Sequence, residues 1–139
     1  MSFGAAASAR RGRRLAADAP CPCGRRDFAS CCGPVLDGRA AETPEDLMRS
    51  RYTAFALGDA RHLVDTWFPG TRPGGLTIDP DTEWLRLDVQ ASDIAPDGRS
   101  GRVRFRALWR EGPGGDLQTM EERSRFTRRA GRWYYVDAL

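Results

Sequence analysis

Arg102-Val103-Arg104-Phe105-Arg106-Ala107-Leu108-Trp109-Arg110 alternates charged and apolar residues, the period at which a β-strand sends successive side chains to opposite faces. Val103, Phe105, Ala107 and Trp109 predict a buried face and the arginines a solvated one. Upstream, Leu85, Leu87, Val89 and Ala91 alternate with Arg86, Asp88 and Gln90 in the same way, and Pro96-Asp97-Gly98 between the two runs is turn chemistry. Downstream, Gly112-Pro113-Gly114-Gly115 is a second turn, a third strand falls near 117–128 and a last one at 132–137. Short turns between successive strands predict an antiparallel meander. Asp88, Glu121 and Glu122 can neutralise the arginines across strands, so the outer face reads as solvated and ion-paired, with no specific nucleic-acid site.

Before residue 69 the period is helical. Thr43-Pro44-Glu45-Asp46 supplies an N-cap, a proline at the first helical position and acids in the first turn. Leu47, Met48, Tyr52 and Phe55 recur on one stripe, Arg49, Ser50 and Thr53 fall off it, and Gly58 stops the helix. Asp59 caps a second helix that runs to about Trp67, with Leu63, Val64 and Trp67 inward and Pro69 ending it. The proline, glycine and aspartate run over 69–81 is an irregular loop. Two helices followed by a turn-linked antiparallel sheet predict an α+β fold, and helices laid against a curved sheet would enclose a cone with an open mouth.

All four cysteines fall within Cys21-Pro22-Cys23-Gly24-Arg25-Arg26-Asp27-Phe28-Ala29-Ser30-Cys31-Cys32-Gly33. Disulfides stabilise by closing long loops, and four thiols within a dozen residues can close only short ones. Two pairs of soft donors on a short loop can instead converge on one tetrahedral ion, the pattern of structural Zn²⁺. Gly24 and Gly33 permit tight turns after each pair, and Phe28 offers a small apolar lid. Four thiolates around one zinc leave a local −2, which Arg25 and Arg26 can offset. Inert buried thiols and redox chemistry are the alternatives, although the spacing of dithiol oxidoreductases is absent. A closed four-sulfur site has no position for an activated water, so no catalytic residue is assigned to it.

The chain of 139 residues suits one domain plus an appendage, and nothing in it is apolar enough to span a membrane. Every basic residue is arginine, which coding bias explains without phosphate binding. Residues 1–19, with Arg10, Arg11, Arg13 and Arg14 against Asp18, carry the whole formal excess of +3 and read as a disordered basic tail. No secretory apolar core is present, and reduced thiols agree with a cytoplasmic protein.

Cys-Pro-Cys-Gly, an aromatic, then Cys-Cys-Gly resembles the SEC-C zinc motif of the SecA translocation ATPase, with seven residues between the pairs where the motif has eight. Residues 47–55, Thr66-Trp67, Glu122-Arg123-Ser124-Arg125-Phe126 and Gly131-Arg132-Trp133-Tyr134-Tyr135-Val136-Asp137 resemble the bacterial YchJ family. That resemblance covers nearly all of 20–138 and implies a zinc knuckle over 20–34, with Zn²⁺ on Cys21, Cys23, Cys31 and Cys32. It also implies a cone-shaped domain over 42–139 similar to nuclear transport factor two. Phe68 stands where the family is expected to carry histidine. The likeness to SecA further implies a protein partner, an export chaperone such as SecB or a ribosome-associated protein.

Two functions from different classes follow. In the first the knuckle docks on a macromolecule, which requires Arg25, Arg26 and Phe28 to be exposed. In the second the cone binds a small molecule or acts on it, with Arg49, Arg51, Tyr52, His62, Arg106, Glu122, Trp133 and Tyr135 as candidate lining residues. Glu122 shares a face with Met120, Ser124 and Phe126 and needs a cation such as Arg49, Arg51 or Arg106. His62 reads as a partly exposed surface or packing histidine, with Asp65 three residues on. In a third reading zinc only staples the N-terminal segment to the domain. Oligomeric state is open.

Overall fold

The computed structural model describes residues 9–139, and the part of the expected tail that falls on residues 1–8 lies outside the described residues. A 3₁₀ turn at Phe28–Ser30 leads into helix α1 (Cys32–Leu36), followed by α2 (Pro44–Leu57), α3 (Ala60–Asp65) and strands β1 (Thr82–Ile94), β2 (Ser100–Glu111), β3 (Gln118–Arg129) and β4 (Arg132–Ala138). The strands form one antiparallel sheet in sequence order.

Local chemistry sets the helix ends where the sequence places them. Thr43 Oγ1 accepts the Asp46 amide at 3.0 Å, and Gly58 closes α2 with φ of 77°, a left-handed conformation that costs glycine little. Asp59 Oδ1 accepts the His62 amide at 2.9 Å and starts α3. That helix stops at Asp65, two residues short of expectation. Residues 66–68 turn away to join the free edge of β4, where Phe68 donates to the Tyr135 carbonyl and Tyr135 to the Thr66 carbonyl, both at 2.8 Å.

α2 is the centre of the molecule, touching β1, β2 and β4 as well as α1 and α3. One helix reaches both edge strands only if the sheet curls around it, which makes the cone. Because α2 is covered on all sides, its burial is not a stripe: Ser50 and Thr53, expected off the apolar face, are fully buried, and so is Arg51. Ser50 meets His62 from α3, and Thr53 meets Cys21 from the knuckle. Around this helix the core gathers Leu47, Leu63, Val103, Phe105, Phe126 and Trp133 together with all four cysteines.

Strand β1 departs from its expected alternation. Trp84 pairs with Trp109 and Arg86 with Leu108, which leaves Leu85 as an extra residue. This bulge turns Leu85 outward, to 41% exposure, while Trp84, Leu87 and Val89 face the helix. A second shift between Val89 and Ala91 leaves Ala91 exposed as well. The outer face is ion-paired through Arg86–Asp88, Arg106–Glu121 and Arg125–Asp137.

Two further segments differ from the sequence reading. The expected knuckle over 20–34 does not end in loop: α1 begins inside it at Cys32 and runs on to Leu36, which is buried. Residues 9–19, read as tail, run along the domain: the Arg13 amide donates to the Leu57 carbonyl and the Arg61 amide to the Arg10 carbonyl. Arg14 reaches Asp59 and Asp37 at 3.1 Å, and Arg11 also reaches Asp37. The acids that receive these arginines lie 23 to 45 residues further along the chain, beyond the reach of local pattern.

Candidate functional site

The two cysteine pairs stand on different local structures. Cys21 and Cys23 sit on a turn closed by the Gly24 amide on the Cys21 carbonyl at 2.9 Å, with Gly24 at φ of 86°. Cys31 caps α1 and Cys32 begins it. Gly33 serves a different purpose from the one expected. It lies within α1, and a Cβ there would stand 2.8 Å from the Phe28 carbonyl oxygen, so it is required by close approach rather than by its backbone angles.

All four sulfurs lie within 4.8 Å of one another, with Cys23 and Cys31 Sγ at 3.4 Å. A tetrahedral ion with metal–sulfur bonds of about 2.3 Å would set sulfurs about 3.8 Å apart, so the four can hold a single metal ion despite the shorter turn. The charge balance points the same way. Without a cation the cluster holds its negative charge unevenly: hydrogen bonds from Cys23 and Cys32 draw the Cys21 thiol down. The same bonds to Cys21 push Cys23 up to about 11 and raise Cys32 as well, with burial adding to both. A divalent cation is what would let all four sulfurs ionise together.

The surroundings of the cluster are interior. Phe28 is only 5% exposed, Cys21 Sγ lies 3.7 Å from Thr53 Oγ1, and Arg49 Nη1 donates to the Cys23 carbonyl at 3.0 Å. Arg25 pairs with Asp46 at 2.8 Å. Arg26 is exposed and bonds the Ser30 carbonyl.

A second feature lies between α2 and the inner face of the sheet. A cavity of about 300 Å³ is lined by Arg51, Tyr52, Trp67, Trp84, Glu122 and Tyr135, with Met48, Phe55, Phe105, Ala107 and Met120 completing an apolar wall. Its aromatic rings brace one another edge-on: Tyr52 and Trp84 lie 5.9 Å apart, Trp67 and Tyr135 5.0 Å. Arg51 enters from α2. Its guanidinium stacks 4.9 Å from the Trp67 ring and 4.4 Å from the Tyr135 ring, while Nη1 donates to the Leu63 carbonyl and the Thr66 hydroxyl. Burial lowers this guanidinium to about 10 and raises the Tyr135 phenol to about 12. Glu122 accepts the Ser124 hydroxyl at 2.8 Å, and among the described residues no guanidinium comes within 4.0 Å of it.

Of the eight residues that sequence reasoning put forward for a pocket, Arg51, Tyr52, Glu122 and Tyr135 meet here. The others stand elsewhere. Arg106 is on the opposite face of the sheet, paired with Glu121, because β2 alternates and Phe105 and Ala107 take the inner positions. Arg49 is turned to the knuckle. His62 and Trp133 line a separate groove of about 390 Å³ with Leu36, Asp59 and Asp65. His62 is buried rather than half-exposed, and Asp65 pairs with Arg61 instead. Ser50 donates its single hydroxyl hydrogen to the Leu47 carbonyl at 2.8 Å, so at 2.9 Å the proton between Ser50 and His62 sits on Nε2. Desolvation, reinforced by the Arg51 charge, holds this imidazole down at about 4. Trp67 and Thr66 went unread as site residues, and Trp84 was expected first as a core aromatic. The only signal available for Trp67 was its place just beyond a helix, where a large aromatic commonly fills the core.

These features define a class: a nuclear transport factor two-like cone with a cysteine cluster, able to hold a metal ion, packed against its central helix. The family model described as the YchJ, middle NTF2-like domain matches residues 43–138. A UPF0225 protein of Xanthomonas oryzae pv. oryzae is 50% identical over 123 residues, covering 86% of this chain and 93% of its own. One from Streptomyces coelicolor is 46% identical over 121 residues, covering 85% and 93%. The solution structure of a SEC-C motif containing protein from Rhodopseudomonas palustris is similar with a TM-score of 0.76 and 38% identity, over 86% of this chain and 96% of that one. A crystal structure of a SEC-C motif containing protein from Psychrobacter arcticus gives 0.73 and 30%, over 87% and 82%. The chain belongs to the YchJ family, whose members carry the designation UPF0225. No helix among the described residues is long and apolar enough to cross a membrane.

Proposed function

We propose that this protein binds a small organic molecule in its cone, and that a structural zinc on Cys21, Cys23, Cys31 and Cys32 fastens the N-terminal segment to that domain. The observation that carries the reading is Arg51: a guanidinium 3% exposed, in the wall of an aromatic cavity, with no carboxylate of the described residues within 4.0 Å. Glu122 across the cavity acts on it only at longer range, and a buried charge with no partner in contact is costly; binding sites are where proteins retain one. The role is binding without a chemical step, because His62 and Glu122, the pair best suited to share a proton, line different cavities.

Zinc fits the donor set because it favours tetrahedral all-thiolate sites, and four protein ligands leave no open position. Docking of the knuckle on an export chaperone or ribosome-associated protein is less well supported. Phe28 is buried and Arg25 is held by Asp46, which leaves Arg26 alone among the three residues that such contact needs. A site of reduced thiolates also suits the cytoplasm.

Native mass spectrometry of the reduced, untagged protein tests the metal. One zinc is expected, lost in mild acid as four protons return, and a metal-free reduced protein would remove the fastener. A fragment titration followed by ¹H–¹⁵N spectra tests the cavity. Shifts are expected at Arg51, Tyr52, Glu122 and the Trp67 and Trp84 indoles, and ligands that move only knuckle resonances would overturn the reading.

A further inference from the structure

We infer that the cone selects an organic monocarboxylate with a planar apolar body, and that Arg51 and Trp67 are the residues that recognise the carboxylate. This rests on the cavity reading above and adds the chemical class of the ligand.

A guanidinium has two faces and five N–H donors around its edge. In Arg51 the Trp67 and Tyr135 rings, 5.0 Å apart and nearly perpendicular to each other, pack against the guanidinium from one side, and the two acceptors on its edge, the Leu63 carbonyl and the Thr66 hydroxyl, both take Nη1. What remains is Nε–H and the Nη2 hydrogens, for which the described residues supply no acceptor. Those two nitrogens form the side of the guanidinium that offers parallel N–H groups, the fork that matches the two oxygens of a carboxylate. The two Nη1 bonds and the rings packed against one side restrain its plane. The site is therefore organised before a ligand arrives, which lowers the cost of ordering on binding.

A second, independent observation points to the same kind of group. The Trp67 indole Nε1 is buried without a hydrogen-bond partner, and Trp67 lines the same cavity. An indole N–H only donates, so its missing partner is an acceptor. Arg51 and Trp67, which both line this cavity, thus each carry an unmet donor. The rest of the wall is apolar and aromatic, Phe55, Trp84, Phe105 and Met120 among it, which suits a flat hydrocarbon body. Glu122, anchored by Ser124, is the one acidic group lining the cavity, and it would accept from a hydroxyl on the ligand and disfavour a second negative charge. A single carboxylate is the match.

The test uses the zinc-loaded full chain and three probes, phenylacetate, its isostere 2-phenylacetamide and the cation phenethylammonium, titrated while tryptophan fluorescence and indole N–H resonances are followed. Phenylacetate is expected to bind at least tenfold more tightly than the amide, with the Trp67 indole proton moving downfield. Arg51→Lys should remove that preference by losing the fork while keeping the charge. Trp67→Phe, which keeps the ring and deletes the donor, should weaken phenylacetate several-fold and leave the amide within about twofold. Unchanged zinc content and melting temperature in Trp67→Phe keep the result interpretable if Arg51→Lys fails to fold. Equal binding of acid and amide, or preference for the ammonium, would overturn the carboxylate class while sparing the cavity. No binding of any probe at millimolar concentration would overturn the cavity reading along with it.

Discussion

The knuckle and the cone cavity both bury groups that ordinarily stay in water, yet they resolve the cost in opposite ways. At the knuckle four sulfurs face one another, and a single cation can satisfy all of them. In the cavity Arg51 and Trp67 keep donors that nothing among the described residues accepts. A cluster that closes on itself serves stability, whereas an organised set of groups left open serves binding. The difference also explains why a motif so prominent in sequence is so little presented at the surface: its apolar residues went into the core that α2 shares with the sheet.

The sharpest way to break this contrast is to deny the cysteine cluster the zinc proposed for it. Cys23→Ser, or a strong chelator, is expected to abolish cooperative melting by circular dichroism, since structural zinc sites contribute about 10–16 kcal/mol and whole domains have a stability of only about 5–15 kcal/mol. A melt that stays within a few degrees of the wild type would show that the cysteines are dispensable. Next in size is Phe28→Ala, which should cost about 3–5 kcal/mol in urea titration if the ring is core, and almost nothing if it is a docking surface. His62 gives a pH-dependent effect. Its folded value of about 4 lies below the ordinary 6.5, so between those values the unfolded chain binds more protons and stability falls as pH falls. The loss should approach about 3 kcal/mol by pH 4 relative to pH 7, and His62→Gln should flatten that part of the profile. The smallest effect belongs to Arg26→Ala, expected within about 0.5 kcal/mol of wild type. A larger change there would mean that the knuckle surface does more than cover the metal.

How much was legible follows from how local each cause is. Thr43, Asp59 and Gly58 could be read as helix ends because a cap is made by residues within a few positions of one another. Val103, Phe105 and Ala107 could be placed on the inner face because strand alternation needs no partner to define it. Leu85 could not, since a bulge is a mismatch between two strands and only their pairing reveals it. Ser50 and Thr53 looked like surface residues because the stripe of a helix predicts one covered side, while α2 is covered on all of them. Glu122 was expected to meet an arginine and meets Ser124, two residues away on its own strand.

The sequence by itself determined the elements, their order, the cysteine cluster and the family resemblance, because periodicity, caps, turns and ligand spacing are short-range properties of the chain. Tertiary structure alone decided which charges were paired. The same residue type, arginine, became a clasp at Arg14, a solvated ion pair at Arg106 and an open fork at Arg51. These fates differ because the energy of a charge is set by the water it loses and the partner it finds, and both depend on segments far away in sequence.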